Sequence, residues 1–181
     1  MTPENTTQLV LVLLAAANAF AAMGWSRNGS TVGVPLSMLA LAAAAVVAAV
    51  ADDLSSGRVA TTVLVVLAGL LAVVGGGPVT TRIFAIIDGQ DDVPQTLDQA
   101  GQVLRGGAWI GALERLAVFA GLASGFPEGV AVVLALKGVG RFPDLRAEGR
   151  GGAATERFII GTFASVLWAA ACAGVVALVL R

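Results

Sequence analysis

Long apolar stretches separated by short polar turns run through the whole chain. The stretches are apolar all the way round rather than along one stripe. That pattern belongs to helices immersed in lipid, not to helices resting on a soluble core. About 20 residues of helix cross the roughly 30 Å hydrocarbon layer of a bilayer. Six stretches approach that length, near residues 9–25, 34–51, 59–75, 108–124, 128–142 and 154–180. Thr6 and Thr7 suit N-caps of the first. Glu4, and the lack of Lys or Arg ahead of the run, read as a retained span rather than a signal peptide. Pro35 suits the first turn of the second stretch. Gly75, Gly76, Gly77 and Pro78 are expected to close the third. Gly125, Phe126, Pro127 and Glu128 form a tight turn into the fifth, which Pro143 should stop.

Residues 79–105 are more polar and read as an interfacial segment. Val79 to Ile87 is apolar around Arg82 and suits the membrane surface. Asp91, Asp92 and Pro94 then open a short helix. Leu97, Ala100, Val103 and Leu104 recur at helical spacing with Gln95, Asp98, Gln102 and Arg105 between them, an amphipathic interfacial pattern. The expected fold is therefore all-α: one polytopic transmembrane helix bundle over residues 1–181, with about six spans plus a short interfacial amphipathic helix.

Composition sharpens this picture. Of the 181 residues 57% are hydrophobic and 13% charged, against about 25% charged in soluble domains, and mean hydropathy is +0.86. A net charge of −1 argues against nucleic acid as a partner; the bilayer itself is the expected partner. There is no His, which removes the commonest metal ligand and general base. The single Cys, Cys172, sits deep in an apolar run and reads as a small hydrophobe. No metal or cofactor is expected. Usage of Ala, Gly, Val, Arg and Asp points to a GC-rich bacterial genome, hence to a bacterial cytoplasmic membrane. Arg27, Arg82, Arg105, Arg141, Arg146, Arg150 and Arg157 fall on one side of a six-span path, Arg58 and Arg181 on the other. The positive-inside rule then puts both termini outside.

Charges inside a span are costly and are functional candidates by default. Glu114 lies about 12 Å into the fourth stretch and Lys137 about 8 Å from the end of the fifth, at 1.5 Å per residue. On antiparallel neighbours both fall at similar depth. Gly107, Gly111, Glu114, Val118, Gly121 and Gly125 share one stripe of mostly small residues, so Glu114 is expected to face protein. Lys137 and Arg141 are four apart, and Glu156 and Arg157 open the sixth stretch on the same side. The predicted cluster is Glu114, Arg115, Lys137, Arg141, Glu156 and Arg157. It reads either as an ion-pair network fixing helix register or as a site for an anion, a lipid headgroup or a proton. Asp52-Asp53 lacks a further acid at Ser56 and reads as a solvated loop. Thr162 and Ser165 are expected to back-bond or pack.

The segments Trp109 to Arg115 (WIGALER), Lys137 to Phe142 (K-x-x-x-R-F) and Glu156 to Thr162 (ERFIIGT) form a pattern. It resembles the C-terminal half of a group of uncharacterised bacterial integral membrane proteins, actinobacterial ones most closely, over residues 104–174. The resemblance implies a membrane bundle and no particular activity; its motifs coincide with the charged cluster. The expected function is non-enzymatic: a small transporter, a channel-like component or an accessory membrane protein, self-associating through Gly-rich faces. The alternatives are a scaffold for lipid headgroups and a lipid-modifying enzyme using Glu114.

Overall fold

A computed structural model describes residues 3–26, 29–51, 57–89, 107–147 and 152–181. Among these residues there are six helices and no strand: α1 Pro3–Met23, α2 Ser30–Val50, α3 Arg58–Ile87, α4 Gly107–Ala123, α5 Glu128–Ala147 and α6 Gly152–Val179. Four of them, α1, α2, α3 and α6, are long and apolar enough to cross a membrane.

Helices consecutive in sequence alternate in direction. Ser37 near the start of α2 donates to the Ala17 carbonyl near the end of α1, at 3.0 Å. Trp168 of α6 meets Leu71 of α3, and Arg157 meets Asp88, so α6 descends as α3 rises. Arg115 meets Val73, and Phe119 lies against Gly69, so α4 also opposes α3. At the far end of α6, Arg181 donates to the Ala49 carbonyl of α2 at 2.7 Å. α3 is the hub: it packs on α1, α2, α4 and α6, whereas α5 leans mainly on α4. The core is built of small and aliphatic side chains such as Leu14, Ala44, Leu64, Leu71 and Val176, which let the backbones approach closely without water between them.

The expected end of the third helix is wrong. α3 does not stop at Gly75-Gly76-Gly77-Pro78 but runs 30 residues to Ile87. Val79 to Ile87 is thus helix continuing the span, not a separate surface segment; residues 90–106, with the proposed amphipathic helix, lie outside the described residues. Proline removes an N–H and the glycines lower helix propensity, yet in lipid such a stretch survives if neighbours satisfy its carbonyls. They do here. Val74, four residues before Pro78, accepts from Trp25 Nε1 at 3.0 Å. Val73 accepts from Arg115 Nε at 3.1 Å. Thr80 and Thr81 donate back to Gly76 and Gly77 at 2.8 and 3.1 Å. The glycines themselves are seats for large side chains. A Cβ on Gly75 would stand 2.6 Å from the Trp168 ring, on Gly76 2.2 Å from Arg115 Cδ, and on Gly77 3.1 Å from the Trp25 ring.

Smaller differences follow the same logic. α1 and α2 begin upstream of the expected points, with Thr6, Thr7 and Pro35 inside the helices. α5 continues through Pro143 to Ala147. The α4–α5 turn is as expected: Gly125 has φ +76°, Phe126 N–H bonds Gly121 O at 2.8 Å and Gly125 N–H bonds Leu122 O at 3.2 Å. These are the paired bonds of a Schellman C-cap, which needs a left-handed residue and so favours glycine. At the other end of the bundle Gly89, with φ +65°, ends α3 in the same backbone region.

Candidate functional site

A cleft of about 840 Å³ opens among α3, α4, α5 and α6. Its walls are mostly apolar, with Phe84, Ile110, Leu113, Val133, Leu136 and Phe158 contributing. Three charged residues from two helices stand in it side by side. Glu114 of α4 and Lys137 of α5 form a direct ion pair, with side chains only 16% and 23% exposed. The Schellman turn explains why they meet: it reverses the chain tightly, so residues nearly equidistant from Gly125 come level. Lys137 also lies 5.8 Å from the centre of the Phe158 ring of α6, a cation–π contact that joins α5 to the bundle.

Arg115, next in sequence to Glu114, turns to the opposite wall. It is buried, 8% exposed. Its Nε donates to Val73 O and its Nη1 to Ser165 Oγ at 3.5 Å. Gly76 makes the approach possible, since any side chain there would occupy the space of the Arg115 methylenes. Ser165 is therefore an acceptor for Arg115 rather than a back-bonded residue. Val73 is 15 residues from Arg58, and Ser165 is 15 from Leu180; at 1.5 Å per residue both give about 22 Å from that end of the bundle. The guanidinium thus lies near the mid-length of α3, close to the level of the α1–α2 turn, where Trp25 meets Val74.

The mouth of the cleft carries a second ion pair. Arg157 Nη2 lies 2.7 Å from Asp88 Oδ1, on more exposed side chains, with the guanidinium 5.6 Å from the Phe84 ring centre. Asp88 caps the end of α3. The predicted cluster therefore divides. Glu114, Arg115, Lys137 and Arg157 all line the cleft; Lys137 pairs with Glu114 and Arg157 with Asp88, while Arg115 makes no ion pair among the described residues. Glu156 is exposed and makes no ion pair among the described residues. Arg141 lies on α5 where the side chains are outside the described residues.

Two buried polar atoms have no partner among the described residues: Asn18 Oδ1, in the α1–α3 seam, and Thr162 Oγ1, in the wall of the cleft. Thr162 lies three residues from Ser165 on α6, hence on the same face. Thr162 was expected to back-bond or pack, but its hydroxyl makes no back-bond among the described residues; nothing in the sequence pointed to the pairing of Asp88 with Arg157 or to the indole donors. The need of a buried indole N–H for an acceptor could have directed attention to Trp25 and Trp168, but not to which carbonyls they use.

No protein-family model, curated protein or solved structure matches this chain.

Proposed function

We propose that the protein is a non-catalytic component of a bacterial cytoplasmic membrane, a small carrier or accessory subunit, whose cleft holds an amphiphilic molecule. The observation that carries this reading is the cleft's combination of size and lining. Its 840 Å³ falls in the range of about 300–1,000 Å³ typical of small-molecule sites, which are mostly apolar with a few convergent polar groups. Intramembrane charges facing a cavity are functional candidates by default. A lipid-modifying enzyme is less well supported. Glu114 is already occupied by Lys137, and Glu156, the other carboxylate of the cluster, does not line the cleft, so a working acid–base pair is lacking.

In this reading all six helices cross the membrane. The alternation of directions supports it, as do the exposed apolar side chains of the α4–α5 hairpin, among them Ile110, Leu113, Leu136 and Val139. The Arg asymmetry supports an outside location for both termini. Gly138 on α5, which has open space where a side chain would be and does not line the cleft, suits the close approach of a second copy.

The test is photolabelling in phosphatidylcholine nanodiscs with diazirine-tagged C18 amphiphiles, as acid and as alcohol. The reading predicts that at least one labels the peptides containing Gly111–Arg115 and Gly161–Ser165 well above the exposed Met38–Leu39 control on α2. Equal labelling of all three, as expected of general lipid contact, contradicts it.

A further inference from the structure

Resting on the reading of the cleft as an amphiphile site, we propose that its occupant is a membrane-partitioned organic anion, whose carboxylate or phosphate head sits between Arg115 and Thr162.

The charge count of the cleft asks for an anion. Lys137 is neutralised by Glu114 and Arg157 by Asp88. Arg115 has no ion pair among the described residues; a carbonyl and a hydroxyl are its acceptors. A guanidinium carries five N–H groups, so these two bonds leave three for a ligand. Their planar fork matches the paired oxygens of a carboxylate or phosphate. Glu114 also acts on Arg115 but is shared with Lys137, so among the described residues the three cations of the cleft have two carboxylates between them, and an anionic ligand balances the third.

The orphan hydroxyl points to the same place independently. Thr162 lines the cleft, and its Oγ1, buried in the wall, has no partner among the described residues. Ser165 accepts from Arg115, which leaves its own O–H to be donated elsewhere. Donors on three residues of two helices are therefore close together, with hydrogens for which no acceptor is found among the described residues. Unmade bonds of this kind are costly in a water-poor site, and an oxyanion satisfies all three at once. The apolar walls formed by Leu113, Leu136 and Phe158 suit the chain that such a head would carry. The lining thus selects an amphiphile over a small free anion.

The experiment is competition against the diazirine-tagged C18 acid, read as labelling of the Gly161–Ser165 peptide in neutral nanodiscs. Oleate and oleoyl lysophosphatidate should compete at least tenfold better than oleyl alcohol or oleylamine. Acetate and inorganic phosphate, which share the charge without the chain, should not compete at a hundredfold higher concentration. Arg115→Gln should remove the preference for oleate over oleyl alcohol. Because Arg115 also packs on α3, Thr162→Val provides a second variant: it should weaken oleate severalfold without lowering the Tm of the ligand-free protein. If oleyl alcohol competes as well as oleate, or if Thr162→Val changes nothing, the cleft reading stands and the anion assignment falls. If acetate or phosphate competes, the site takes a free anion and the assignment to a membrane-partitioned one is wrong. If no C18 compound, charged or neutral, labels or competes at the cleft, the underlying reading itself fails.

Discussion

Trp25→Phe isolates the device that carries α3 through its proline. Val74 O lacks the usual helical partner because residue 78 is proline, and it accepts Trp25 Nε1 at 3.0 Å. Phenylalanine deletes the donor and also the Cζ2–Cη2 edge that lies over Gly77, so the coupling to residue 78 rather than the single loss isolates the hydrogen bond. The bond lies at the α1–α2 turn, where Trp25 is 56% exposed, so water can partly replace the indole. A net hydrogen bond is worth about 1 kcal/mol. The variant should therefore lose about 1 kcal/mol from the missing bond. Pro78→Ala supplies the missing N–H, keeps the Cβ that approaches Gly24, and should have little effect alone. In the double variant the new N–H takes over Val74 O, and most of the loss should return. Stability is measured by reversible unfolding in mixed micelles, and the coupling is read from the four-member cycle. A coupling below about 0.5 kcal/mol, the level at which independent sites add, would refute the shared-carbonyl account.

Other substitutions probe the remaining contacts. Glu114→Gln and Lys137→Met should each cost about 3–5 kcal/mol by stranding a partner inside the bundle, and the double variant should regain much of it; simple additivity in the same unfolding assay would show that the pair is not coupled. Gly76→Ala should cost about 1–3 kcal/mol through overpacking against Arg115, while Gly174→Ala inside α6, where a Cβ meets nothing within 4 Å, should not destabilise, since alanine is the better helix former; equal losses of Tm would contradict the packing. Asp88→Asn should cost no more than about 1 kcal/mol because the pair with Arg157 is partly exposed; a larger loss of Tm would mean the mouth is more tightly built. Reporter fusions after Asp53, Glu148 and Arg181 should place Glu148 in the cytoplasm and the others outside; Glu148 and Arg181 on one side would remove the sixth crossing or the fifth.

The apolar runs were sufficient to read an all-helical membrane bundle, because in lipid composition alone sets where a span lies. The meeting of Glu114 and Lys137 was also legible: a tight Gly-Phe-Pro turn makes depth along two neighbouring helices a matter of counting residues. The continuation of α3 past Pro78 was not. The glycines and proline are breakers by local propensity, and what overrules them is a set of donors 42 and 49 residues away in sequence, Arg115 and Trp25. The split of the charge cluster was hidden for a similar reason. Glu114 and Arg115 are adjacent, and a helix sends adjacent side chains about 100° apart; only the arrangement of α3 and α6 decides which neighbour each one meets. Arg157 was grouped with the cluster rather than paired with Asp88, because the third helix was expected to close at Gly75 to Pro78, whereas it runs about three turns further and ends against Asp88.

The account rests on the cleft being filled from the membrane rather than from water. Nitroxide labels at Leu136, on the cleft wall, and at Leu39, on the exposed face of α2, test this by power-saturation EPR in phosphatidylcholine bilayers, with Cys172 replaced by Ala. Oxygen concentrates among acyl chains and a neutral nickel chelate in water. The account predicts high oxygen and low nickel accessibility at both positions, with slower motion at Leu136 and a further slowing there on adding oleate. High nickel accessibility at Leu136 would make the cleft an aqueous pathway and contradict the account.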